Sequence, residues 1–289
     1  MMGAAVMDAR MDTGSAAASA LHHAASARLA VWRHRAGERS SAMDELAEEV
    51  PVALEYNGVS HAVMLATPCD LEQFALGFSL SEGIVASPAE LYDVEIEHGA
   101  TGITAHIDIA AGAFMRLKER RRSLAGRTGC GLCGVDSLAQ VVRPLVFLAP
   151  GQALSGAAIR RALLEARGRQ PLNRLTGATH AALWCDHDGA PRMAFEDVGR
   201  HNALDKLIGG LHASHADLGD GFVLITSRAS VEMVQKAATV GIVAMVAISA
   251  PTALAVRTAQ ACGLTLVAFA RGDDFTAYAH GANIDMETA

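Results

Sequence analysis

The second half of this chain alternates strand and helix on connections too short for anything but a layered sheet. Phe222–Thr226 reads as a strand, Ser230–Thr239 as a helix, Ile242–Ile248 as a strand, Thr252–Cys262 as a helix and Leu264–Phe269 as a strand. Such repeats force parallel strands with right-handed crossovers and helices laid on the sheet. Upstream, a helix at Leu154–Arg167, strands at Ala181–Cys185 and Met193–Asp197 around Asp188-Gly189, and a helix at Asn202–Leu211 complete an α/β domain over 150–289. The uncharged stretch Ala237–Val256 is not read as a membrane span. Gly241, Pro251 and its many small residues fit a helix end, a buried strand and the next helix.

The first half has another rhythm. Val52–Tyr56 and Ser60–Leu65 flank Asn57-Gly58, a pair suited to a tight hairpin. Thr67-Pro68-Cys69-Asp70 resembles a helix start, with Thr67 as cap and Pro68 in the first turn. Leu71, Phe74, Ala75 and Phe78 follow at helical spacing up to Gly83. Val94–Ile96 and Ile103–Ile109 alternate as strands. Residues 31–149 therefore form a smaller β-rich N-terminal domain. Residues 1–30, rich in Ala and Ser, offer little to bury and read as a disordered tail, with order beginning near Leu29–Trp32.

Composition narrows the function classes. At 51% hydrophobic and 19% charged, the 289 residues supply a sizeable core. The net charge of −7 argues against nucleic-acid binding by bulk charge. No apolar leader opens the chain, so a cytoplasmic protein without membrane attachment is expected. Five cysteines, an odd and sparse set, read as reduced thiols.

Five stretches could carry chemistry. In Gly129-Cys130-Gly131-Leu132-Cys133-Gly134, two thiols sit among glycines. Before them run Arg116, Lys118, Arg120, Arg121, Arg122 and Arg127 against Glu119 alone. Nearby cations lower a thiol's pKa and attract phosphates. A solvated charged helix beside half a zinc site is the plainer alternative, but zinc wants four ligands and no second CxxC or CxxH exists. Glu196-Asp197-Val198-Gly199-Arg200-His201-Asn202, running on to Asp205 and Lys206, fits a functional turn or an ordinary capped helix equally well. Thr226-Ser227-Arg228-Ala229-Ser230 and Ser249-Ala250-Pro251-Thr252 place hydroxyl residues at helix N-termini, where anions bind and capping occurs in any case. Phe269-Ala270-Arg271-Gly272-Asp273-Asp274 leaves the last strand of the alternation with an aromatic and a cation that could clamp a purine nucleotide.

Taken in order, these stretches resemble the FdhD family of sulfur carriers required for formate dehydrogenase activity. The likeness runs over Glu55-Tyr56-Asn57-Gly58, Ala66-Thr67-Pro68-Cys69-Asp70, Gly77-Phe78, Glu82-Gly83-Ile84, Cys130 to Gly134, Phe195 to Ala203, Thr226-Ser227-Arg228 and Ser249 to Thr252. The resemblance implies a cytidine-deaminase-like, three-layer α/β fold in the C-terminal domain. It implies that sulfur from a cysteine desulfurase is carried as a persulfide on Cys130, with Cys133 assisting as an auxiliary thiol. The acceptor would be the molybdenum cofactor in its bis(molybdopterin guanine dinucleotide) form, bound for the formate dehydrogenase catalytic subunit. The cofactor-contacting stretch would fall on Phe269, Ala270, Arg271, Gly272, Asp273 and Asp274, where Asp274 departs from an expected basic residue. No metal ligand is assigned. Two nucleotide arms on the cofactor suit two symmetric sites, so a homodimer is expected.

Rival readings fit less well. A zinc deaminase needs His-x-Glu and Pro-Cys-x-x-Cys, yet no histidine has Glu two residues on and Gly129 precedes Cys130. A thioredoxin-like CxxC belongs at a strand-to-helix junction. A cofactor-binding chaperone without sulfur transfer is the main alternative.

Overall fold

A computed structural model of the chain describes residues 23–125 and 144–285. It opens on a hairpin of β1 (Ser26–Arg35) and β2 (Glu38–Ala47), paired from Ser26↔Ala47 to Arg35↔Glu38. The expected tail is thus corrected at its end: Ser26–Ala30 lie in β1, because pairing to Met43–Ala47 supplies a ladder that local composition does not reveal. The hairpin joins no other strand among the described residues.

A four-stranded sheet follows, in the order β4-β3-β6-β5. Its strands are β3 (Val50–Tyr56), β4 (Val59–Ala66), β5 (Leu91–Gly99) and β6 (Gly102–Ile109). Asn57 and Gly58 make the expected turn with φ of 46° and 75°. The Asn57 side chain also exchanges hydrogen bonds with the Ile109 backbone at 2.8 and 3.0 Å. Val52, Leu54 and Tyr56 alternate inward with Ile103, Ala105 and Ile107, giving the sheet one buried face. Helix α1 (Leu71–Ser81) follows β4, and α2 (Ala111–Ala125) follows β6.

The C-terminal region contains β7 (Leu154–Ser155), α3 (Gly156–Ala166), α4 (Pro171–Thr176), β8 (His180–Cys185), β9 (Pro191–Asp197), α5 (Arg200–Ala213), β10 (Phe222–Ile225), α6 (Val231–Thr239), β11 (Ala244–Ala247), α7 (Ala253–Cys262), β12 (Thr265–Arg271), β13 (Asp274–Ala279) and β14 (Ile284–Asp285). Six of these strands form one sheet in the order β13-β12-β11-β10-β8-β9. β10, β11 and β12 run parallel, as the short crossovers require. β8, β9 and β13 are antiparallel neighbours. β12 is therefore not the last strand of the chain.

Side-chain alternation explains how this sheet is covered. Ala182, Trp184, Val223, Ile225, Met245, Leu266 and Ala268 enter one core with α5, α6 and α7. Ala181, Leu183, Cys185, Phe222, Leu224, Val246, Val267 and Ala270 enter a second core with Ala158, Ile159 and Ala162 of α3. Helices thus cover both faces. The uncharged stretch 237–256 divides into the end of α6, β11 and the start of α7. Among the described residues no helix is long and apolar enough to cross a membrane.

The first core continues through α1 into the N-terminal sheet, so the two regions share an interior. Their closest approach is α1 against α5. A Cβ on Gly77 would lie 1.7 Å from the Asp205 carbonyl oxygen, and one on Gly209 1.9 Å from that of Gln73. Only glycine permits backbones this close.

Candidate ligand-binding end of the central sheet

The Glu196–Lys206 stretch divides into two parts with different roles. Lys206 Nζ lies 2.7 Å from Asp197 Oδ2, and both side chains are wholly buried. Asp197 also accepts from Thr67 N at 3.0 Å, Gly199 N at 2.8 Å and Asn202 Nδ2 at 3.0 Å. Lys206 donates to Thr67 O at 3.0 Å, and Asn202 to Leu65 O at 2.8 Å. These bonds tie the end of β4 to β9 and α5. They also correct the expected helix start. Thr67 caps nothing; its Oγ1 accepts from Val198 N at 3.1 Å. α1 begins at Leu71 behind Asp70, which is left-handed at φ 53° and makes no side-chain cap. A buried Thr67 finds its partners at the end of β9 and in α5 rather than along its own helix.

A second buried network was not visible in the sequence. Lys236 Nζ pairs with Asp205 Oδ2 at 2.9 Å and Glu82 Oε1 at 2.8 Å, and bonds Ser81 Oγ at 3.0 Å. Ser81 in turn donates to Asp205 Oδ1 at 2.6 Å. Burial opposes the charge on Lys236, yet Asp205 and Glu82 overcome it and hold its pKa above the usual lysine value. The available signal was a lysine at a position of α6 that helical spacing puts on its apolar face.

The remaining candidates converge at one end of the six-stranded sheet. The parallel strands β10, β11 and β12 finish there, antiparallel β8 begins there, and β9 ends beside it at His180↔Asp197. Thr226 Oγ1 accepts from Ala181 N at 2.9 Å. Ala229 N donates to Ala250 O at 3.2 Å, and Thr252 N to Ala229 O at 3.0 Å, joining the two strand-to-helix turns. Phe269 N donates to Ser249 O, and Arg271 Nε to Ile248 O, both at 3.2 Å. Three stretches separated in sequence thus form one continuous rim, where open α/β sheets take their ligands. Thr252 is a true cap, accepting from Ala255 N at 3.2 Å. Ser230 occupies the cap position of α6 without a capping bond.

The stretch 269–274 forms a hairpin. Arg271 pairs with Asp274 across the two-residue loop Gly272-Asp273. Gly272 has φ 58°, as the first loop position of such a turn demands. Phe269 is left-handed at φ 52°, 44% exposed, and 6.4 Å from the Tyr278 ring. Ala270 is buried in the second core, which leaves only its backbone for a ligand. Arg228, Arg271, Asp273 and Asp274 are exposed. Arg200, at the start of α5, has its Nε buried without a hydrogen-bond partner among the described residues. Burial and Arg200 together lower the pKa of His180, against the pull of Asp197. Burial, Arg200 and Lys236 depress His201 to about 4.

Cys130 and Cys133 lie outside the described residues, and so does Arg127. Among the described residues, three of the six cations counted before them have internal partners. Lys118 Nζ lies over the Phe114 ring at 4.1 Å. Arg116 pairs with Glu90 at 2.8 Å. Arg120 donates to Glu82 O and Gly83 O at 3.1 and 3.2 Å, at the C-terminal end of α1. The three described thiols are poor nucleophiles. Burial pushes Cys69 up to about 11 even though Lys206 pulls the other way, pushes Cys185 up to about 12, and raises Cys262.

A mixed α/β architecture with helices on both faces of an open sheet carries, at the ends of its parallel strands, a loop rim with cations and an exposed aromatic, the place where such sheets take ligands. The comparisons name its kind: residues 47–285 match the FdhD/NarQ family, and the chain belongs to it. It is 54% identical to the sulfur carrier protein FdhD of Cupriavidus necator over 261 residues, which is 90% of this chain and 91% of that one. It is 53% identical to the sulfur carrier protein FdhD of Chromobacterium violaceum, over 86% of this chain and 94% of that one. The fold is similar to that of a putative formate dehydrogenase accessory protein from Desulfotalea psychrophila. The TM-score is 0.71 at 24% identity, covering 91% of this chain and 100% of that one.

Proposed function

We propose that this protein is a cytoplasmic sulfur carrier that matures formate dehydrogenase. The observation that carries the reading is the single rim formed by Arg228, Ser249–Thr252 and the Phe269–Asp274 hairpin. It offers guanidinium groups for pyrophosphate and an exposed ring for a guanine, the chemistry of the molybdenum bis(molybdopterin guanine dinucleotide) cofactor. The cofactor is here the substrate that receives sulfur. Support for the sulfur step comes from the relatives, which are named sulfur carriers. We read the C-terminal domain as deaminase-like, supported by its antiparallel β8–β9 pair beside the parallel β10–β12 and by its helices on both faces.

Cys130, as thiolate, attacks the terminal sulfur of a desulfurase persulfide. It becomes Cys130–S–S⁻ as the desulfurase thiolate leaves. Passing that sulfur on as sulfide takes two electrons. A thiol supplies them by closing a disulfide on Cys130; Cys133 does so within the chain, and an external thiol can replace it. The sulfur then goes to the cofactor before or during its insertion into the formate dehydrogenase catalytic subunit. Two cofactor arms suit a homodimer.

The test is intact-protein mass spectrometry after incubation with a cysteine desulfurase and free cysteine. One added sulfur, removed by reductant and missing from Cys130→Ala, is the expected result. No added sulfur on the wild type would overturn the carrier reading in favour of a cofactor-binding chaperone.

A further inference from the structure

The stretch from α3 to α4 has a charge balance unlike the rest of the chain. The whole protein carries −7, yet residues 160–174 hold five arginines against Glu165 alone, with no lysine, aspartate or histidine. The function above does not use them. Arg161 pairs with Glu165 at 2.8 Å, so the one acid neutralises only its neighbour. Arg167, Arg169 and Arg174 are exposed, and no side-chain partner meets them among the described residues. Cations gathered this closely repel one another, and an anion settling among them relieves the repulsion.

The ground beneath these arginines is fixed. Glu196, buried near the end of β9, accepts from Leu172 N at 2.8 Å, Asn173 N at 2.7 Å and Thr179 Oγ1 at 3.0 Å. Its carboxylate holds α4 in place and pairs with none of the arginines. Gln170 Nε2 donates to Ala166 O at 2.9 Å, and Asn173 Nδ2 to Thr179 O at 2.6 Å. A cavity of about 310 Å³ opens here, lined by Arg167, Gln170, Asn173 and Arg174. Apolar groups stand beside it: Leu164 is 78% exposed and Leu175 54%. Helical spacing sets Leu164 on one face of α3 with Arg160, and Leu175 follows Arg174 directly.

We propose that this patch docks an acidic segment of a partner protein. Its carboxylates enter between Arg167 and Arg174, and its apolar side chains cover Leu164 and Leu175. A guanidinium fork meets a carboxylate with two parallel hydrogen bonds, a geometry that an ammonium lacks. Arginine without lysine is also the bias of protein interfaces. A membrane surface fits less well. The apolar residues Ala158, Ile159 and Ala162 of α3 are buried in the second core, so no continuous apolar face is left to insert among lipids. The inference goes beyond the sulfur reading and stands without it.

Fluorescence anisotropy of a labelled eight-residue peptide of alternating glutamate and leucine tests it on the full chain. The wild type binds at low salt and loses affinity as salt rises. Arg167→Ala and Arg174→Ala each weaken binding by about fivefold or more. Arg35→Ala removes the same charge from an exposed position on the hairpin and leaves binding unchanged. The double variant Arg167→Glu with Arg174→Glu loses the acidic peptide and gains a lysine–leucine peptide of the same length, which a merely unfolded patch would not do. A wild type that does not bind, or a loss as large in Arg35→Ala, overturns the proposal. Displacement of the peptide by inorganic phosphate, at concentrations where acetate has no effect, overturns it in favour of a phosphate ligand. Binding to phosphatidylglycerol vesicles by a wild type that ignores the peptide, lost in both alanine variants, overturns it in favour of a membrane. The persulfide experiment reads the sulfur chemistry separately.

Discussion

Lys206 and Asp197 form an ion pair of 2.7 Å with neither side chain reaching solvent. Its two partners, and the backbone groups around them, belong to β9, α5 and the end of β4, so the pair locks the N-terminal sheet onto the C-terminal one. Removing one partner leaves a buried charge with no counterion. Lys206→Met should destabilise the fold by about 3–5 kcal/mol, read by urea unfolding. Adding Asp197→Asn should recover part of that loss, because the uncompensated charge is gone.

Gly77 and Gly209 set the spacing of α1 and α5. Gly77→Ala would drive its Cβ into the Asp205 carbonyl and force the helices apart. The expected loss exceeds that of Gly83→Ala, where φ is 63° and no atom lies within 4 Å of the added Cβ. The latter change should cost about 1–2 kcal/mol from backbone strain alone. Equal midpoints for the two variants in urea would contradict the tight approach of the helices.

Stability should fall as the pH drops below neutrality. His201 is held at about 4 in the fold by burial, Arg200 and Lys236, whereas an unfolded histidine titrates near ~6.5. The unfolded chain therefore binds the proton first, and protonation favours it. The contribution is fully present above that ordinary value and is lost progressively as the pH falls towards the folded one. His180 and His212 shift in the same direction through burial. In His201→Asn, the melting temperature should decline less between neutral pH and mildly acid pH than in the wild type.

The rim can be probed with GDP as a stand-in for one cofactor arm. Arg271→Ala should weaken binding by about tenfold or more, as expected for one charge-assisted hydrogen bond. Asp274→Lys should strengthen it, since the carboxylate that faces Arg271 and repels the phosphates is replaced by a cation. Calorimetric titration showing both variants unchanged would remove this hairpin from the ligand site.

The sequence by itself determined the local elements and their kind. Helical spacing placed α1 and α5, the strand–helix rhythm gave parallel β10–β12, and Asn57-Gly58 marked its turn, because spacing and turn chemistry act over a few neighbouring residues. Resemblance of ordered motifs identified the family. Tertiary structure alone decided what the polar residues do. Thr67 looked like a cap and instead bonds residues 130 and 131 positions away. Asp197 and Lys206 looked equally like a site and a solvated face, and are a buried brace. The rim at 226–230, 249–252 and 269–274 exists because parallel strands end on the same side. β1 went unseen because its ladder partner lies in β2 and its side chains enter neither core among the described residues. Pairing, burial and charge compensation are properties of distant segments brought together, and no local pattern encodes them.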